Sequence, residues 1–120
     1  MHDPNCLFCK IFKGEIPSNK VFESDNVIGF RDLHPQAKDH VLFIHKNHNA
    51  NIAEMASSDP EDIIEVIRAI TRFAKESGLE KTGVRIVSNS GPDAGQTIFH
   101  THFHVLGGEQ LGHFGRNSRR

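Results

Sequence analysis

The sequence predicts an α+β fold: a mainly antiparallel sheet of about five strands, one long helix, and a short helical turn near the N-terminus. Three observations lead there. Short β-rich runs are joined by links too brief for the crossovers that parallel strands need. One stretch, from Asp59 to Gly78, carries apolar residues at helical spacing between a strong start and a strong stop. The 120 residues, 37% hydrophobic and 24% charged, fit a single domain over residues 1–115 with a short basic tail at 116–120.

Taken in order, Cys6 to Phe12 (CLFCKIF) is apolar at near-helical spacing, ends at Gly14, and is broken by Pro17. Lys20–Ser24 and Val27–Asp32 are β-rich runs around the turn pair Asp25-Asn26, which reads as a hairpin. Val41–His45 (VLFIH) is a buried-type strand after a polar connection from Leu33 to Asp39. The long helix starts with Asp59 or Ser58 as cap, Pro60 in the first turn, and the acids Glu61 and Asp62 at the positive end of the dipole. Ile63, Ile64, Ile67, Ile70, Phe73 and Ala74 give its apolar spacing, and Gly78 its stop. Gly83–Ser88 and Ile98–Leu106 read as two further strands around the loop Asn89–Thr97.

Composition excludes several classes of function. A mean hydropathy of -0.43, with no apolar run near the ~18 residues of a bilayer span, argues against a membrane protein. A formal net charge of -1 argues against a duplex nucleic-acid binder, whose affinity comes largely from basic charge. The N-terminus lacks the basic and apolar regions of a secretory signal, so a cytoplasmic location is expected. Trp and Tyr are absent, so stacking on a base would fall to a Phe or an Arg. Nine histidines against two cysteines point at chemistry.

The informative stretch is His100-Thr101-His102-Phe103-His104. In a strand, residues two apart share a face at ~6.6–6.8 Å, so the three histidines form a row. Phe99, Thr101, Phe103 and Val105 then point to the other side, toward the core. A solvated face, a zinc half-site and an imidazole nucleophile with imidazole helpers all compete for this pattern. Histidine suits the last role because its pKa of ~6.5 leaves much of it neutral and nucleophilic at pH 7. Just upstream, Asn89 to Thr97 is a turn-rich loop whose backbone N–H groups can surround an anion. Placed before three histidines, it suggests phosphoryl chemistry, with neither a Gly-Lys-Ser/Thr P-loop nor an acidic cluster for magnesium.

Cys6 and Cys9, spaced C-x-x-C, read as a metal half-site, a redox pair or two buried thiols. For a metal, His48 and His100 are candidates for the missing ligands. His40 shares a strand face with Leu42 and Ile44, where it can bond the histidine row from behind or be satisfied by backbone. His45 points the other way.

HTHFHVL fits the signature His-φ-His-φ-His-φ-φ, with Thr101 its one loose match. With CLFCKIFKGEIPS, VFESDNVIGFRDLHPQA and NSGPDAGQTIFHTHFHVLGG it resembles the histidine triad nucleotide-binding proteins over almost the whole chain. Gly-Gln-Thr at 95–97 and GGEQL at 107–111 look most like the branch that cleaves purine nucleoside phosphoramidates. The C-terminus after Gly112, HFGRNSRR, is unlike the ends of that branch. The resemblance implies that His102 attacks the α-phosphorus of a nucleotide, forming a nucleotidyl-histidine that water hydrolyses. It implies that His104 bonds a phosphate oxygen, Thr97 sits near the leaving amine, and Asn89, Gly95 and Gln96 bind phosphate or ribose. It also implies that Asp32 binds the ribose hydroxyls while Phe8, Ile11, Phe30, Leu33 and Leu42 enclose the base. A structural zinc on Cys6, Cys9, His48 and His100, and a homodimer, complete what it implies. The rival functions are a dinucleoside polyphosphate hydrolase, a nucleotide-binding regulatory module, and a metallohydrolase with zinc on the triad.

Overall fold

The structure, a computed structural model, describes residues 5–113. The tail at 116–120 lies outside the described residues. A helical turn, α1 (Leu7–Phe12), precedes the hairpin β1 (Lys20–Glu23) and β2 (Val27–Arg31). Then follow β3 (Asp39–His45), α2 (Ile52–Ser58), α3 (Pro60–Ser77), β4 (Val84–Val87) and β5 (His102–Gly107). The strands form one sheet in the order β1-β2-β3-β5-β4, antiparallel at every pairing, which is the expected α+β architecture.

Strand alternation divides the interior in two. Val41 and Phe43 of β3, with Phe103 and Val105 of β5, pack under α2 and α3 against Met55, Val66, Ile70 and Phe73. Leu42 and Ile44, on the opposite face, join Ile28, Phe30, Cys6 at the N-cap of α1, and the α1 residues Phe8, Cys9 and Ile11 in a second cluster. Gly29, opposite Phe43 on the α3 side, leaves room for that ring: an added Cβ would lie 2.8 Å from its Cζ.

Four expectations are corrected. The sheet carries a second helix on the α3 side: α2 is capped by Asn51, whose Oδ1 accepts the Glu54 N–H, while the Glu54 carboxylate accepts the Ala50 N–H. Asp59 stands at the N-cap of α3 without capping it, because its Oδ2 accepts the Asn49 amide instead. Ile64 is 55% exposed, and Val66 and Ala69 fill the buried face of α3 with Ile70 and Phe73. Gly78 ends the helix as expected, in the left-handed region at φ 84°. Finally, β5 begins at His102 and not at Ile98. The Asn49 carbonyl takes both the N–H and the hydroxyl of Thr101, at 2.7 and 3.0 Å, drawing that segment to the loop after β3. Phe99, expected in the core, is 59% exposed as a result.

Candidate active site

The register of β3 with β5 pairs Leu42 with His104 and Ile44 with His102, so both histidines face the α1 side of the sheet. A cavity of about 490 Å³ lies there. Phe8, Ile11, Phe30, Leu33 and Leu42 give it apolar walls, and Asp32, Asn89, Gly95, Thr97, His102 and His104 its polar groups. Leu33 contributes from the rim, since it is 89% exposed.

His102 is buried, and its Nδ1 lies 2.8 Å from the His100 carbonyl. A carbonyl only accepts, so Nδ1 carries the proton and Nε2 keeps a bare lone pair. Burial pushes the pKa of His102 below its ordinary 6.5, outweighing that bond and the attraction of Asp32. The ring is therefore a neutral nucleophile at pH 7. Phe8 meets it edge-on, with ring centroids 5.0 Å apart.

His104 is set up the opposite way. The Gln36 N–H donates to His40 Nδ1 at 2.9 Å, so His40 holds its proton on Nε2. His40 Nε2–H donates in turn to His104 Nδ1 at 2.8 Å, which places the His104 proton on Nε2. Burial first, then the neighbouring His102 and His40, lower the His104 pKa to about 4. Burial lowers His40 as well, against the attraction of Asp32. One histidine thus offers a lone pair and its neighbour a donor. Asp32 is oriented by the His34 N–H on Oδ1 at 2.8 Å, with Oδ2 3.5 Å from His40 Nε2.

Two expected site residues stand elsewhere. Gln96 does not line the cavity. Its Oε1 accepts the Gly91 N–H, and its Nε2 donates to the carbonyls of Ala50 and Ile98. Both ends of the amide are spent on shaping the loop, so the side chain is not free for phosphate or ribose. His100 leaves the row predicted for it. It is 1% exposed, its Nε2–H donates to the His45 carbonyl at 2.8 Å, and its Nδ1 lies 3.3 Å from Cys6 Sγ and 3.5 Å from Cys9 Sγ.

With His48, whose Nδ1 is 3.5 Å from Cys9 Sγ, these residues form a cluster with all ligand atoms within 4.8 Å of one another. The set could hold a metal ion. The donors fit: the His45 carbonyl fixes the His100 proton on Nε2 and leaves Nδ1 bare, beside two thiols of the soft class that suits zinc. Burial raises the Cys6 thiol pKa, so without a cation it stays protonated.

One half-buried cluster lies outside the residues that the sequence singles out. His45 Nδ1 accepts the Asn47 N–H, so its Nε2–H donates to Glu65 at 2.9 Å, with Asp62 at 3.4 Å. The Glu65 carboxyl is held below its ordinary range mainly by that bond. The only sequence signal was a histidine ending a buried strand. Its partners lie on α3, some twenty residues on.

The geometry has close counterparts among known proteins. A family model described as the HIT domain matches residues 13–111. The chain belongs to the HIT family. Among HIT structures, a histidine triad protein from Clostridium difficile superimposes with a TM-score of 0.91 at 38% identity, over 95% of this chain and 99% of that one. A HIT family hydrolase from Legionella pneumophila gives 0.86 at 42% identity, over 90% and 96%. A HIT-like protein of Azospirillum brasilense is 38% identical over 92% of both chains.

Proposed function

We propose that this HIT protein is a nucleotide hydrolase that cleaves the P–N bond of purine nucleoside 5′-phosphoramidates through a nucleotidyl-His102 intermediate. The carrying observation is the bond from His102 Nδ1 to the His100 carbonyl, which leaves Nε2 unprotonated beside a cavity with apolar walls and one acid. The Legionella relative, a hydrolase by name, supports the class of reaction.

In the first step His102 Nε2 attacks the α-phosphorus. The Nε2–P bond forms as the P–N bond to the amine breaks, and Thr97 beside the amine passes it a proton from water. His104 Nε2–H and the loop backbone around Gly95 bond the phosphate oxygens as their charge grows. In the second step water attacks phosphorus and gives up a proton that neutralises the hydroxide left by the first step, the Nε2–P bond breaks to return neutral His102, and the monophosphate leaves. Asp32 accepts the ribose hydroxyls, and Phe8, Ile11, Phe30, Leu33 and Leu42 enclose the base. A zinc ion on Cys6, Cys9, His48 and His100 would be structural, because four protein ligands leave no open position for substrate.

A homodimer, a cytoplasmic location and one domain over 1–115 belong to the same reading. The edge position of β4 and the exposure of its Ile86 support the dimer. Among the described residues no helix is long and apolar enough to cross a membrane.

The test is rapid quench with a 32P-labelled adenosine phosphoramidate, run beside a diadenosine polyphosphate. Label should appear on His102, the phosphoramidate should turn over faster, and His102→Ala should abolish turnover while still binding AMP. Label on another residue, or wild-type kcat in His102→Ala, would refute the mechanism. Faster turnover of the polyphosphate would instead assign the P–O–P reaction to the same residues.

A further inference from the structure

His100 joins the metal cluster through its ring and touches the nucleophile through its backbone. Its ring faces Cys6 and Cys9 while its backbone carbonyl receives His102 Nδ1–H at 2.8 Å. The bond that leaves the nucleophilic nitrogen bare is therefore anchored on a metal ligand. That carbonyl precedes β5, whose ladder to β3 starts at His102, so its direction depends on how residue 100 is tethered. The tethers are the His45 carbonyl on Nε2, the thiols at Nδ1, and the neighbouring Thr101 N–H on Asn49.

A second link runs through α1. Phe8 stands between the two cysteines in sequence and meets His102 at 5.0 Å and His100 at 6.0 Å, edge-on to both. A six-residue helix does not hold itself together in water. The place of α1 depends on its packing and on whatever grips Cys6 and Cys9.

We infer that zinc bound by Cys6, Cys9, His48 and His100 sets the ring of His102, with His100 and Phe8 as the positioning residues that transmit its grip. The metal-free chain keeps its sheet, because the core cluster under α3 includes none of these residues. It loses the single orientation of His102 and the Phe8 wall of the cavity. The catalytic meaning of this coupling rests on His102 being the nucleophile, but the coupling itself does not.

The experiment uses the full chain, 15N-labelled at histidine, loaded with one equivalent of zinc and then stripped with a chelator. Long-range 1H–15N spectra of the imidazoles read the His102 tautomer and the exchange of its Nδ1–H. The zinc form should show one tautomer, protonated at Nδ1. Stripping should speed exchange of that proton at least tenfold and weaken AMP binding several-fold, with amide protection in β3 and α3 retained. The same tautomer and exchange rate after stripping would overturn the inference, as would failure of the wild type to take up zinc. Phe8→Leu keeps all four ligands and decides the matter even where the stripped chain unfolds. It should retain zinc and still exchange the His102 proton at least threefold faster than wild type, and a wild-type rate would overturn it. Turnover surviving in His102→Ala would refute the nucleophile and leave the coupling standing, so the two failures are distinguishable.

Discussion

Replacing His40 with alanine should lower kcat through a proton that His40 never delivers to substrate. His40 Nε2–H holds the lone pair of His104 Nδ1 at 2.8 Å, and this alone keeps the His104 proton on the nitrogen available to a phosphate oxygen. A buried neutral hydrogen bond is worth about 1–1.5 kcal/mol, a bias of roughly tenfold toward that tautomer. Without it the Asp32 carboxylate, which lies 3.5 Å from His40 Nε2, favours a proton on His104 Nδ1 instead. The wrong tautomer then dominates, and a lone pair faces the growing negative charge. The loss is bounded above by complete removal of one transition-state donor, about 10²–10³ in kcat. We expect His40→Ala to lose roughly 10- to 100-fold in kcat with little change in KM. Steady-state kinetics on an adenosine phosphoramidate measures this, with a double-mutant cycle as control. In a His104→Ala background the His40 substitution should cost almost nothing more. A kcat within threefold of wild type, or additive losses in the cycle, would refute the proton relay.

Four further outcomes follow from the same structure. Asp32→Ala should weaken ribonucleotide binding by about 1.5–3 kcal/mol, the range for hydrogen bonds to a charged group; calorimetry with a 2′,3′-dideoxy analogue checks this, since only wild type should discriminate against it. Because burial holds His102 below 6.5, kcat/KM should stay level as pH falls through 6.5 and drop only at lower pH. Stability behaves differently: the unfolded chain takes up protons near 6.5 that the folded imidazoles resist, so stability is lost as pH falls from 6.5 toward 4. The shift of His104 to about 4 accounts for about 3 kcal/mol of this, and an unchanged melting temperature between pH 7 and 4.5 would contradict it. Gly29→Ala forces a methyl to 2.8 Å from Phe43 Cζ and 3.0 Å from both Cε atoms. It should cost about 1–3 kcal/mol in urea denaturation, the usual range for overpacking.

Local signals were legible in the sequence where one residue type settles the geometry. Asp25-Asn26 marked the hairpin, Pro60 and Gly78 bounded the long helix, and period two put His102 and His104 on one face. Alternation failed at His100 because it assumes that a strand continues. The chain leaves the ladder there to meet Asn49, and that partner is some fifty residues away. α2 was missed although Asn51 and Glu54 signal its start, because seven residues ending at Asp-Pro carry too little periodicity. Gln96 was misplaced because an amide in a glycine loop serves backbone and ligand equally well, and only the positions of Ala50 and Ile98 decide between them. The bond of His45 to Glu65 left only a histidine at the end of a buried strand, because its partner lies twenty residues on.

The alternating faces of β3 also constrain which misfolded states the chain can visit. All but the first of its seven residues are buried. A slip of one residue against β2 or β5 would exchange the two sets, driving His40 and the flat side of its imidazole chain into the space that Val41 and Phe43 fill under α3. The same slip would carry Val41 and Phe43 into the catalytic face and strand both ends of the His40–His104 bond. Mispairing would cost core packing and a buried polar network together, so no slipped register keeps the His40–His104 bond. A correctly paired sheet is by that fact one in which His40 meets His104.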